Sequence, residues 1–276
     1  RTEIRKAVKV IEILQEASRR VYSNVKDLAG TKESGGNFGR GAGGDISRRI
    51  DIVAEKTVLN YLKEIKFDCI VLGEECGRVE LSKKPKGFII MDAIDGSTNA
   101  VRGIPFFCCS LAFATENKLS SVTDGVVVDL SKGDMYYATK GKGAFLNGKR
   151  IYVNKDKKPM YVVVGLDISG ISSKMLEKIS PIISASNHIR HLGANALELA
   201  IFARGLVDVF IDLREKLRVT DIAAGRLIAL EAGGYVVDKN GKPLDSPLSY
   251  NKKISFIAAA NKKILNDVKK KLKIDN

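Results

Sequence analysis

Acids placed at the ends of apolar runs are the strongest chemical signal in the sequence. IVLGEE closes one such run with Glu74 and Glu75, and GFIIMDAIDGST closes another with Asp92 and Asp95. A carboxylate just beyond a buried strand sits on rigid backbone at a sheet edge, where several can converge. Converging acids repel one another and resist ionisation unless a cation neutralises them. Oxygen donors without accompanying Cys or His select Mg2+ or Mn2+ over zinc. Gly96, Ser97, Thr98 and Asn99 follow at once. Their backbone amides can face an anion beside such cations, which is where a phosphate would sit. A further acid, Asp221 in RVTDIAAGRLIALEAGG, stands where a helix opens, and Ala223, Ala224 and Gly225 allow neighbouring backbone to approach closely. Alone, Asp221 reads as a helix cap. Beside the other two motifs it reads as a ligand.

Competing chemistries fail on spacing. Gly39 to Gly44 satisfies GxGxxG, but no strand precedes it, as a dinucleotide site would require. Gly143 to Arg150 nearly matches a P-loop, yet Arg150 stands where the magnesium-binding hydroxyl is needed. His188 and His191 are the only histidines, and neither lies in a nucleophile motif. Asp92 and Asp95 are one residue too far apart for a nucleophilic DxD pair. What remains is metal-assisted hydrolysis without a covalent intermediate, in which one cation activates water and another stabilises the leaving oxygen.

The elements that must position these groups follow from periodicity. Helical spacing predicts a first helix over Ile4–Leu28 and a second over Ile52–Lys66, separated by the glycine-rich stretch Ser34–Asp45. Strands are expected at Cys69–Leu72, Phe88–Met91, Cys108–Ala114, Val122–Leu130 and Met135–Thr139, and a hairpin turns at Asn147-Gly148. Beyond Lys155–Pro159 the pattern changes. Strands at Tyr161–Leu166, Val207–Ile211, Tyr235–Val237 and Ile254–Ala260 alternate with helices at Ser173–Ile183, Asn195–Arg204, Asp221–Ala232 and Lys262–Lys273. An antiparallel, helix-flanked first half, 1–155, therefore meets an α/β second half, 156–276.

The 276 residues carry 46 Lys and Arg against 32 Asp and Glu, a net charge of +14, so the surface favours anions. The basic run Lys262–Lys273 alternates with Ile264, Leu265, Val268 and Leu272, as a solvated amphipathic helix does. A basic nucleic-acid-binding protein is the competing function class. Cys69, Cys76, Cys108 and Cys109 lack CxxC spacing and read as buried thiols in a reducing compartment. Neither a secretory signal nor a membrane span is visible, so a cytoplasmic location is expected. Gln15 is the single glutamine, in keeping with a heat-adapted source.

Taken together, GEE at Gly73–Glu75, DAIDGST at Asp92–Thr98, GKGAFLNGKRI at Gly141–Ile151 and TDIAAG with EAGG across Thr220–Gly234 resemble the signatures of the inositol monophosphatase superfamily in order and spacing. RRIDIVAEK and FIDLREKLRVTD look most like its archaeal branch, which acts as both fructose-1,6-bisphosphatase and inositol-1-monophosphatase. The resemblance implies a layered αβαβα sandwich and a phosphomonoesterase of small sugar phosphates using two to three Mg2+ ions, with Mn2+ as substitute. The nearest rival is a 3′(2′),5′-bisphosphate nucleotidase of the same superfamily.

The resemblance also implies that Glu74, Asp92, the Ile94 carbonyl, Asp95 and Asp221 are metal ligands. Ser97 and Asp51 would help deprotonate the attacking water, with Glu74 beside them. Gly96, Ser97 and Thr98 would face the phosphate, and the loop up to Asp45 would help hold a third metal. Gly193, Asn195, Asp212, Arg190 and Arg214 would contact the sugar phosphate, with Arg214 on a second phosphate. A homodimer or homotetramer is implied, without nucleic acid or membrane as partner. Two departures stand out. Ala93 and Ser97 replace the usual proline and threonine, and Thr220 replaces the tryptophan before the last aspartate.

Overall fold

The computed structural model describes residues 9–155 and 163–274. Helix α1, Val10–Val25, buries Ile13, Leu14, Ala17, Val21 and Val25 on one face. The expected start at Ile4 lies outside the described residues. Helix α2, Arg49–Glu64, begins three residues earlier than its apolar pattern, because Asp51 reaches back to the backbone N–H of Arg48 at 2.9 Å and caps the first turn.

Eight strands form the first sheet: β1 Ile70–Gly73, β2 Gly77–Glu80, β3 Phe88–Asp95, β4 Cys108–Ala114, β5 Val122–Asp129, β6 Met135–Thr139, β7 Ala144–Leu146 and β8 Lys149–Ile151, ordered β2-β1-β3-β4-β5-β6-β7-β8. The antiparallel expectation needs one correction. The chain leaves β1 through the β2 hairpin and returns on the other edge of β1, so β3 runs parallel to β1. The hairpin between β7 and β8 turns on Asn147 at φ 48° and Gly148 at φ 82°, the two left-handed residues a type I′ turn needs.

The second sheet is mixed and ordered β10-β9-β11-β13-β12, from β9 Val163–Leu166, β10 His188–Arg190, β11 Val209–Leu217, β12 Tyr235–Val237 and β13 Ile254–Ala259. The expected first residues of β9, Tyr161 and Val162, lie outside the described residues. Four further helices are α4 Ser173–Ala185, α5 Asn195–Ala203, α6 Ala223–Glu231 and α7 Lys262–Lys271; a short α3, Ser97–Arg102, follows β3.

The layers run helix, sheet, helix, sheet, helix. Helices α1 and α2 cover the outer face of the first sheet, α5 and α6 pack between the two sheets, and α7 with α4 covers the far side of the second. This is the αβαβα sandwich. One apolar cluster fills the space under α1 and α2, and the other spans both sheets, joining Ile90 and Val127 to Phe210 and Phe256. Helix α7 buries Ile264, Leu265 and Val268 and leaves its lysines outward, as its pattern predicts.

Candidate active site

Glu74 and Glu75 sit on the tight turn between β1 and β2, and three elements fix that turn. Glu55 of α2, itself buried, accepts the backbone N–H groups of Glu75 at 2.9 Å and Cys76 at 2.8 Å. Tyr250 donates its hydroxyl to the carbonyl of Gly73 at 2.8 Å. From the third side the glycine-rich loop lies against the turn, with Gly43 N–H on the Glu74 carbonyl at 2.8 Å and Ala42 N–H on that of Glu75 at 3.2 Å. A Cβ at Gly41 would stand 2.2 Å from Glu75 Oε2, so the loop's glycines permit this approach.

Asp92 and Asp95 are three positions apart, a spacing that puts side chains on opposite faces of a regular strand. Strand β3 resolves this with a register shift against β4: Asp92 pairs with Ser110, whereas Asp95 pairs with Cys108. One extra residue re-aims the strand end, and both acids line the same cavity. Gly96 then turns the chain at φ 89°, and a Cβ there would lie 3.1 Å from Ala194 and 3.3 Å from the Gly193 carbonyl. Ser97 donates its hydroxyl to the Ile94 carbonyl at 3.0 Å.

The second half closes the site. Asp95 Oδ2 accepts the backbone N–H of Ala196 at 2.7 Å. Asn99 binds the carbonyls of Phe106 and Leu192, each at 2.7 Å, and Glu198 accepts Gly193 N–H at 3.0 Å. Asp221, one residue past Thr220 and two before α6, brings its carboxylate to Glu74 and Asp92, so that one oxygen from each of the three lies within 4.8 Å of the others. No Cys or His belongs to that group. Three converging oxygen donors on rigid backbone fit a hard divalent cation.

Electrostatics mark the same residues. Burial first, then Asp221, pushes Glu74 up to about 8 and Asp95 up to about 7. Asp92, wholly enclosed beside Glu74 and Asp95, lies well above the usual carboxylate range. Burial also raises Asp51 to about 6, partly offset by the Ser97 hydroxyl and the Arg48 amide. Asp51 Oδ1 is buried without a hydrogen-bond partner and lies at the wall of the cavity. Acids this perturbed in one cavity are the expected mark of a functional site.

The cavity, of about 1080 Å³, is acidic at its floor, where Arg218 lies buried among the acids, and basic at its rim, where Arg40, Arg48, Arg214, Lys216 and Lys253 stand. Asp51, Glu74, Asp92, Ile94, Asp95, Gly96, Ser97, Thr98, Gly193, Asn195, Arg214 and Asp221 all line it. Arg190 and Asp212 do not. Arg190 lies on the exposed edge strand β10 and bonds its neighbour's carbonyl, Ile189 O, at 2.9 Å. Asp212 is fully buried behind Arg214, whose Nη2 reaches Asp212 and Asp167 at 2.6 Å each. Asp45 does not stand free beside the acids either, because it pairs with Arg218 at 2.9 Å.

Several residues of the site escape motif reading. Arg48 reaches the Thr98 hydroxyl at 3.2 Å, and His191 pairs with Asp167 at 3.0 Å at the cavity wall. Glu55, Asn99 and Glu198 hold the loops that carry the acids. Glu198, a lone polar residue within the apolar pattern of α5, leaves no other trace in the sequence, whereas Glu55 lies in RRIDIVAEK and Asn99 directly after DAIDGST without their roles as supports being readable.

The sequence profile of the inositol monophosphatase family matches residues 2–273. The chain belongs to that family. A fructose-1,6-bisphosphatase/inositol-1-monophosphatase of Methanothermobacter thermautotrophicus is 34% identical over 266 residues, covering 93% of this chain and 94% of the relative. A bifunctional NADP phosphatase/NAD kinase of Methanococcus maripaludis is 33% identical over 91% of this chain, which spans 47% of that relative. A crystal structure of an inositol monophosphatase-fructose 1,6 bisphosphatase superposes with a TM-score of 0.84 at 30% identity, covering 96% of this chain and 100% of the other. This member of the inositol monophosphatase family is thus a phosphatase, a phosphoric monoester hydrolase. Among the described residues no helix is long and apolar enough to cross a membrane.

Proposed function

We propose that this phosphatase hydrolyses fructose 1,6-bisphosphate and inositol 1-phosphate with Mg2+ as its cation. The observation that carries this reading is the pairing of an acidic floor with a basic rim in a single cavity. Divalent cations held by Glu74, Asp92, Asp95, Asp221 and the Ile94 carbonyl would supply Lewis-acid stabilisation of the phosphoryl oxygens and make water acidic enough to react near neutral pH.

The chain's own residues would do the rest. Asp51 has an unpartnered oxygen and an affinity for protons shifted toward neutrality, so with the Ser97 hydroxyl it would orient the attacking water and take its proton. The first amides of α3 have no helical partner and would face the phosphate. Gly193 and Asn195 would border the sugar. Arg214 would meet the distal phosphate of a bisphosphate, helped by Lys216 and Lys253 at the same rim. The family resemblance adds a homodimer or homotetramer and a cytoplasmic location to this reading.

A substrate panel tests it. Phosphate release with Mg2+ is measured on fructose 1,6-bisphosphate, inositol 1-phosphate, NADP and an adenosine 3′,5′-bisphosphate. The highest kcat/KM is expected on one of the first two. Preference for either nucleotide would replace the sugar reading with a nucleotidase, and no release from any would place its substrate outside both classes.

A further inference from the structure

The acids of the cavity floor already share a cation, and it belongs to the protein. Arg218 lies three residues before Asp221, and its guanidinium, almost wholly buried, reaches three acids from three segments. Nη2 lies 2.8 Å from Glu74 Oε1, Nε lies 3.2 Å from Asp221 Oδ1, and Nη1 lies 2.9 Å from Asp45 Oδ2. Nη1 also donates to the Gly43 carbonyl at 3.1 Å. The Arg218 backbone N–H takes the remaining oxygen of Asp221 at 2.9 Å. Two of the three acids whose oxygens converge are therefore held by one guanidinium.

The glycine-rich loop is shaped to this arrangement. A Cβ on Gly43 would stand 2.4 Å from Arg218 Nη1 and 3.0 Å from Glu74 Cγ, so the loop backbone lies directly against the guanidinium. Arg218 thus links the loop, the Glu74 turn and the approach to α6.

We propose that Arg218 sets the affinity of the site for its divalent cation, by holding Glu74 Oε1 and Asp221 Oδ1 against it. The inference rests on the reading of these acids as cation ligands. A divalent ion takes carboxylate oxygens at a distance of about 2.0–2.6 Å, and the guanidinium already engages one side-chain oxygen of each of these two acids. The two positive charges also repel each other at such range in a buried site. The ion and the guanidinium therefore compete for the same two acids. Without the ion, the same guanidinium keeps mutually repelling carboxylates in place. Arg218 is a positioning residue in this account, because it acts through Glu74 and Asp221.

Calorimetric titration of Mn2+ and of Mg2+ into the full chain tests this on the wild type, Arg218→Gln and Arg218→Lys, with melting temperatures taken in chelator. Arg218→Gln should bind the ion at least about tenfold more tightly, the effect of removing one charge-assisted contact that competes for a ligand. Its chelated form should melt at a lower temperature than the wild type. Arg218→Lys keeps the charge but loses the planar fork, and should fall between the two. Should the glutamine variant fail to fold, the lysine variant decides alone: tighter binding than wild type supports the proposal. Equal or weaker binding by a folded variant overturns it, since a merely structural arginine would change the melting temperature without tightening the site. Absence of binding by all three proteins would overturn the cation reading itself, and this proposal with it.

Discussion

The backbone N–H of Ala196 donates to Oδ2 of Asp95 at 2.7 Å, joining residues 101 positions apart. One carboxylate thereby ties the first sheet to the helix layer between the sheets, because Asp95 ends β3 and Ala196 lies in the first turn of α5. Asp95→Asn keeps an oxygen acceptor for Ala196 but removes the charge, so it separates positioning from electrostatics. We expect its melting temperature in chelator to match or exceed that of the wild type, while kcat falls by about 10²–10³, the scale of losing one preorganised electrostatic contact. Circular dichroism melts and initial rates check the two halves. A large loss of stability without a loss of turnover would assign Asp95 to structure.

For Asp51 and Ser97, the expected losses are in kcat. General-base assistance contributes about 10²–10⁴ in rate, so Asp51→Asn or Ser97→Ala should lower kcat by that order with a modest change in KM. Steady-state kinetics on one substrate decide it. A pure KM effect in both variants would remove the pair from the reaction.

Glu74, Glu75, Asp92 and Asp95 were legible because their placement is local: they follow apolar runs that read as strands, whereas Asp221 was legible only beside those motifs. The bulge that turns Asp92 and Asp95 to one cavity was not, because it depends on pairing between β3 and β4. Strands β2 and β10 are short, charged edge strands, and α3 spans a turn and a half, too little for any period to show. Strand β11 runs on to Leu217 where the expected strand stops at Ile211, because Asp212, Arg214, Glu215 and Lys216 conceal its end. The role of Arg218 was hidden for a different reason. In sequence it belongs to a basic cluster, and only the tertiary fold shows that its partners are the acids.

Arg214 bears on bisphosphate recognition. Its charge is balanced by Asp167 and Asp212, yet it stands at the cavity wall, where a phosphate can share the fork. Charge-assisted bonds contribute on the order of 1.5–3 kcal/mol, so Arg214→Ala should cost fructose 1,6-bisphosphate about ten- to a hundredfold in kcat/KM. Inositol 1-phosphate, which has no second phosphate, should lose much less. Equal losses on both would make Arg214 a support for the carboxylates around it and transfer bisphosphate recognition to Lys216 and Lys253.

Proton linkage gives a test that needs no substrate. Glu74 and Asp95 hold protons up to about 8 and about 7 in the folded chain, against ordinary values of 4.5 and 3.8. Between those limits the folded state binds more protons than the unfolded one, so stability falls as pH rises. The chelated protein should therefore melt at progressively lower temperature from about pH 5 to pH 8, and Mg2+ should restore most of the loss at the upper end. A flat or rising profile in chelator would contradict the burial and mutual repulsion that raise these acids.

The central claim is that the buried acids work as a cation-dependent phosphatase site, and Asp92 stands among them beside Glu74, Asp95 and Asp221. The most direct measurement is phosphate release from fructose 1,6-bisphosphate by wild type and Asp92→Asn across a Mg2+ titration, with circular dichroism confirming that both are folded. The account predicts release by the wild type that vanishes in chelator and returns with Mg2+, and almost none by the variant at any concentration. Wild-type turnover by Asp92→Asn at saturating Mg2+ would contradict it.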